Sequence, residues 1–141
     1  MVKEWHVSRS ILDRIAKETI ASPDREICGL LLGRPGAVAV AQGCRNVAST
    51  PADRFEIDPA ALLAAHRAAR AGGLAVVGHY HSHPTGRAEP SPRDAADAQP
   101  DGGLWLIATA RDITGWVAVT KGSLHGRFER VGLRVAPSAA K

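Results

Sequence analysis

Cysteine, aromatic residues and lysine are all scarce in this chain of 141 residues. Two cysteines, Cys28 and Cys44, cannot build a disulfide framework or a cysteine-rich zinc knuckle, and they read as buried free thiols. Three Trp, one Tyr and two Phe are spread thinly. The basic residues (Arg9, Arg25, Arg45, Arg70, Arg111 and Arg130 among them) are scattered rather than clustered. Nucleic-acid binding prefers a basic stripe with stacking aromatics, so composition speaks against it. No apolar run approaches the ~20 residues needed to span a membrane, and the opening Met-Val-Lys-Glu-Trp-His lacks an apolar signal core. These absences point to a soluble, cytoplasmic protein with no membrane partner.

What is present is a globular balance, 45% hydrophobic and 23% charged residues, with a formal net charge of +4. The length suits one domain, and the mild positive charge favours an acidic protein partner through long-range attraction. Residues 1–135 read as that domain and Ala136–Lys141 as a frayed tail. Ile11, Leu12, Ile15, Ala16 and Ile20 recur at helical spacing over Ser10–Ala21, and Pro23 stops that helix. Glu26–Gly33 reads as a buried strand, with Ala37–Arg45 as its return. After the polar stretch Ser49–Asp58, Asp58 caps and Pro59 opens a helix to about Arg70, ended by Gly72-Gly73. Leu74–His83 reads as a strand and Pro92–Gln99 as a short helix. The closing runs Leu104–Ala110, Gly115–Thr120 and Ser123–Val131 read as antiparallel strands. The class is α+β: a curved sheet flanked by two larger helices.

The chemistry concentrates at the far end of Leu74–His83. His81 and His83 are two apart on a strand, so both side chains face one side of the sheet. Two imidazoles at that spacing can converge on one ion, and a loop with one helical turn could bring Asp94 back as a third, carboxylate ligand. Two His and one carboxylate leave a fourth tetrahedral position open, as in catalytic rather than structural zinc sites. His-x-His also occurs without metal, and Ser91-Pro92-Arg93-Asp94 fits a capping box, which gives Ser91 and Asp94 a purely structural alternative. A hydrolytic metal site needs a proton acceptor, for which Glu26, Glu56 and Glu89 are candidates. Glu26 stands apart because it leads into the apolar Ile27–Leu32 run, where desolvation raises a carboxyl pKa; otherwise it is a solvated strand-edge acid. His79 shares the face of His81 and His83 but falls about 13–14 Å from His83 along a strand, which makes it a structural neighbour. Tyr80 and Ser82 point to the opposite face, and Cys28 is assigned to packing.

Glu26-x-Cys28-Gly29-Leu30-Leu31-x-Gly33 combined with His81-Ser82-His83-Pro84, Ser91 and Asp94 resembles the JAMM/MPN zinc metalloprotease pattern in its small bacterial form. Asn46, Phe55, Ile57 and Val76-Val77-Gly78 match further positions of that family. The resemblance implies a cytidine-deaminase-like fold with a short helix at the metal site and one zinc ion held by His81, His83 and Asp94. It also implies Glu26 as general acid/base and Ser91 as support for the oxyanion. By the same resemblance the substrate is a bond after the C-terminal Gly-Gly of a ubiquitin-like sulfur-carrier protein, with Arg45–Asp58 as one wall of the groove. The rivals are a non-catalytic MPN-type scaffold, which has no need of the complete residue set, and a RadC-like nucleic-acid-associated module, which usually carries Asn where this chain has Ser82. A nucleobase deaminase is excluded, because the chain has no Cys-x-x-Cys.

Overall fold

The computed structural model describes residues 2–137. Among them the chain runs β1 (Glu4–Ser8), α1 (Arg9–Ala21), β2 (Cys28–Arg34), β3 (Ala37–Cys44), α2 (Pro59–Arg70) and β4 (Ala75–Ser82). It continues through α3 (Pro92–Asp97), β5 (Leu104–Ala108), β6 (Ile113–Gly122) and β7 (Gly126–Ala136). Ser8 caps α1 by accepting from the Ile11 N–H at 3.3 Å. Asp58 caps α2 ahead of Pro59, as its sequence signature requires. No helix among the described residues is long and apolar enough to cross a membrane.

The strands close into a barrel in the order β1-β3-β2-β4-β5-β6-β7, a mixed sheet in which β4 and β5 run parallel. The expected curved, mixed sheet with its helices is present, and its curvature goes as far as closure, which the sequence pattern did not indicate. Closure depends on β1, which pairs in parallel with both β3 and β7. Only Trp5 and Val7 of β1 are buried, too short an alternation to stand out in the sequence. Other boundaries also shift. α3 stops at Asp97, and β7 continues through Ala136, the first residue of the expected tail. Residues 138–141 of that tail lie outside the described residues.

The core lies between the barrel wall and α1, where Leu12 and Ile15 meet Val7, Leu31 and Leu106. Ile20 does not join them: it is 63% exposed, against the helical periodicity that grouped it with the inward face. Tyr80 crosses the same interface. Its ring lies over Gly29 of β2, where any Cβ would collide with it, and its hydroxyl donates to Glu18 of α1 at 2.8 Å. Locking α1 onto β2 and β4 in this way holds the strand ends that carry the polar residues.

Candidate metal and catalytic site

Strand register brings the separated residues of the motif together. Cys28 of β2 lies opposite His81 of β4. The pairing continues past the strand ends, with the Ser82 N–H donating to the Ile27 carbonyl at 3.0 Å. One residue further on, Glu26 therefore falls opposite His83, two neighbours on one face of an antiparallel pair.

At that point His81 Nε2, His83 Nε2 and Asp94 Oδ2 form a small triangle. The two nitrogens are 3.0 Å apart, and Asp94 Oδ2 lies 3.3 Å from the first and 3.1 Å from the second. Ligands held at 2.0–2.1 Å around a tetrahedral ion would lie about 3.3 Å from one another, so these atoms fit a zinc ion as they stand. One oxygen of Glu26 and one nitrogen of each of these two imidazoles also lie within 4.8 Å of one another. His83 Nδ1 donates to the Arg87 carbonyl at 2.9 Å, which orients the ring with Nε2 facing the site. His81 is held instead by stacking on Phe55, with ring centroids 4.2 Å apart and an interplanar angle of 18°.

The two carboxylates differ sharply in environment. Burial works against ionised Asp94, but hydrogen bonds from His81 and His83 and from the Ser91 N–H outweigh it and hold this carboxyl far below the usual range. Ser91 and Asp94 form a full capping box, with Ser91 Oγ accepting from the Asp94 N–H at 3.0 Å. The same bonds thus start α3 and aim its acid. Glu26 is 5% exposed, and its Oε1 has no hydrogen-bond partner among the described residues. Burial pushes its pKa up to about 7. One acid is held ionised by its neighbours, and burial shifts the other towards neutrality. His83 is raised despite burial because it faces Asp94, whereas burial lowers His81.

Glu56 and Glu89, the other candidate bases, lie outside this cluster, and Glu89 pairs with Arg87 at 3.1 Å. His79 packs its ring 4.3 Å from Trp105 and 6.1 Å from His81, and burial lowers its pKa to about 3. A groove of about 420 Å3 borders the cluster, with Ala48, Ser49 and Phe55 facing Asp94, His79 and Trp105. Residues of the Arg45–Asp58 stretch thus line one side of it.

Two further residues, Ser82 and Asn46, position Glu26. Ser82 Oγ accepts from the Ile27 N–H at 2.9 Å and donates to the Arg25 carbonyl at 3.4 Å, tying down both neighbours of the acid. Asn46 uses its full hydrogen-bonding capacity. Its Nδ2 donates to the carbonyls of Glu26 and Arg54, each at 2.9 Å. Its Oδ1 accepts from Ala48 at 3.0 Å and from Glu56 at 3.1 Å. The Glu26 N–H donates to the Pro51 carbonyl at 2.7 Å, so the acid and the groove wall are one hydrogen-bonded unit. Truncation in Asn46→Ala strands these backbone groups, each costing roughly 1–3 kcal/mol where buried. Thermal melting should show a loss of several degrees, with metal content unchanged because no ligand is touched.

Comparison with known proteins agrees with this geometry. Residues 8–120 match the family described as prokaryotic homologs of the JAB domain. A desampylase of Haloferax volcanii is 34% identical over 102 residues, which cover 71% of this chain and 73% of that protein. A probable TtuB-protein conjugate cleaving protease of Thermus thermophilus is 36% identical over 94 residues, 67% of this chain and 63% of that one. A JAB1/MPN domain protein from Archaeoglobus fulgidus has a similar fold, with a TM-score of 0.58 at 16% identity over 93% of this chain and 98% of the other. A closed mixed barrel with two imidazoles and two unlike carboxylates at one strand end, together with these likenesses, makes the chain a member of the prokaryotic JAB (JAMM/MPN) family.

Proposed function

We propose that this protein is a zinc-dependent isopeptidase that hydrolyses the bond after the C-terminal Gly-Gly of a ubiquitin-like sulfur-carrier protein joined to an amine. The observation that carries the reading is the convergence of His81 Nε2, His83 Nε2 and Asp94 Oδ2 within 3.3 Å of one another beside the buried carboxyl of Glu26. His81, His83 and Asp94 would hold the ion, which when bound supplies Lewis-acid polarisation of the scissile carbonyl and acidifies water. Glu26 takes a proton from the attacking water and returns it to the leaving nitrogen as the C–N bond breaks. The Ser91 hydroxyl accepts from the Asp94 N–H, so its own proton is free to be donated to the carbonyl oxygen as negative charge builds there. The curated relatives, one of them named for cleaving protein conjugates, support a conjugate as substrate. A Gly-Gly tail is thin enough to lie extended in the groove between Phe55 and Asp94.

Incubation of carrier–Gly-Gly conjugates with the zinc-loaded protein, read by mass spectrometry, tests this. Cleavage after the second glycine that a chelator stops is the expected result; intact conjugates under both conditions refute the reading. Ser91→Ala should lower the turnover by about 10²–10³-fold, the usual cost of one oxyanion donor. Loss of the cap costs only about 1 kcal/mol of stability, so the folded fraction should change little. Equal turnover by Ser91→Ala and the natural chain would leave this serine with the cap alone.

A further inference from the structure

Among the described residues, His125 is the one residue other than glycine with a positive φ, at 52°. It and Gly126, at 69°, are the central residues of the tight turn between β6 and β7, which the Arg127 N–H closes by donating to the Leu124 carbonyl at 3.0 Å. Two consecutive left-handed residues define a type I′ turn, whose first central position favours Asn, Asp or Gly. An imidazole there is an uncommon choice, and its ring reaches beyond the hairpin. His125 Nε2 lies 3.0 Å from the Pro90 carbonyl. A carbonyl only accepts, so the ring nitrogen donates. His125 is exposed and Pro90 fully buried, so the ring holds a carbonyl of the packed loop from outside the core.

The Pro90 carbonyl belongs to the same planar peptide group as the Ser91 N–H. That N–H donates to Asp94 Oδ2 at 2.9 Å. The same oxygen faces His81 Nε2 at 3.3 Å and His83 Nε2 at 3.1 Å. One rigid plate is thus gripped at both edges, by His125 on its carbonyl and by Asp94 on its N–H. Rotating the plate to suit either edge would break the bond at the other. The bond to the carbonyl also polarises the peptide and strengthens its N–H as a donor. The second half of the capping box, from the Asp94 N–H to Ser91 Oγ, fixes the backbone of this acid rather than the direction of its carboxylate. Thr114 of β6 donates to the Ala88 carbonyl at 2.6 Å, so the loop between β4 and α3 is pegged at two points to the β6–β7 hairpin.

We propose that His125 is a positioning residue of the metal site: acting through the Pro90–Ser91 peptide, it sets the direction of Asp94 Oδ2 toward His81 and His83. The inference rests on the reading of Asp94 as a ligand. Asparagine would suit the turn better but ends too close to its own backbone to reach Pro90. The left-handed backbone of His125 is strain that accompanies this reach.

Two variants keep the turn and withdraw the ring, His125→Asn and His125→Gly, whereas His125→Gln restores a donor nitrogen at the ε position. In metal-free protein followed by NMR, the Ser91 amide proton should move upfield in His125→Asn and His125→Gly, as its bond to Asp94 slackens, and return in His125→Gln. Zinc titration should show affinity weakened by about tenfold in the first two, the low end of what residues that orient ligands contribute, and near-natural affinity in His125→Gln. The melting temperature should hold or rise in His125→Asn and His125→Gly, because both residues suit a left-handed backbone better than histidine does. A side chain that merely stabilised the hairpin would lower it. An unmoved Ser91 resonance, an unchanged zinc affinity, or zinc binding that weakens only together with a lowered melting temperature overturns the role of His125. A natural chain that takes up no zinc overturns the ligand reading of Asp94 instead, and the Ser91 resonance then decides whether His125 acts on that peptide.

Discussion

Glu26→Gln is expected to abolish hydrolysis and to leave the metal bound. The amide keeps the size of the carboxylate, and Glu26 makes no hydrogen bond to His81, His83 or Asp94 among the described residues, so zinc per chain should stay at the natural level. What disappears is the group that accepts and returns the proton, a contribution of about 10²–10⁴ in rate. The same substitution has a thermodynamic signature in chelated protein. Glu26 carries a pKa of about 7 when folded against an ordinary value of 4.5. Between those values the folded state binds more protons than the unfolded one, so this group makes stability fall as pH rises. Glutamine removes that penalty. The variant should melt at a higher temperature than the natural chain above about pH 7, and the advantage should shrink to nothing below about pH 4.5. A Glu26→Gln protein that hydrolyses at the natural rate, or gains no stability at high pH, would move the proton-transfer role elsewhere.

Asp94→Asn separates ligation from helix capping. Asparagine can still accept from the Ser91 N–H, so α3 keeps its start. The charge that faces two imidazole nitrogens at 3.1 and 3.3 Å is lost. Removing a partner of a ligand typically costs 10–100-fold in metal affinity, and removing the anionic ligand itself should cost more. Zinc titration should therefore show weakening beyond 100-fold and hydrolysis should vanish at limiting zinc. Affinity within tenfold of the natural chain would show that Asp94 is a capping residue and no ligand.

The parts of this site that were readable in the sequence are those governed by local period. His81 and His83 are two apart, and the strand repeat alone puts them on one face. Asp58-Pro59 and Ser91-Pro92 mark helix starts through their own chemistry, and both do so in the structure. Glu26 is different. It lies 55 residues before His81 in the sequence and reaches the cluster only through the β2–β4 register, so the family pattern linked what periodicity could not. Asn46 could be matched to the family, but its four backbone partners come from segments that are distant until the Arg45–Asp58 stretch folds back. Barrel closure stayed hidden because it depends on the five-residue β1, whose partners β3 and β7 stand at opposite ends of the strand order. Ile20 misled for the converse reason. Its spacing fits the buried face of α1, yet it falls in the last turn of the helix, which ends at Ala21, and its side chain is exposed.

The central claim is that His81, His83 and Asp94 share one ion beside Glu26, and anomalous X-ray scattering at the zinc edge locates such an ion directly. Crystals grown with zinc should give one strong peak at about 2.0–2.2 Å from His81 Nε2, His83 Nε2 and Asp94 Oδ2, with the Glu26 carboxylate close by and not bonded to it. An absent peak in zinc-replete crystals, or one coordinated by Glu26 in place of Asp94, would contradict the account.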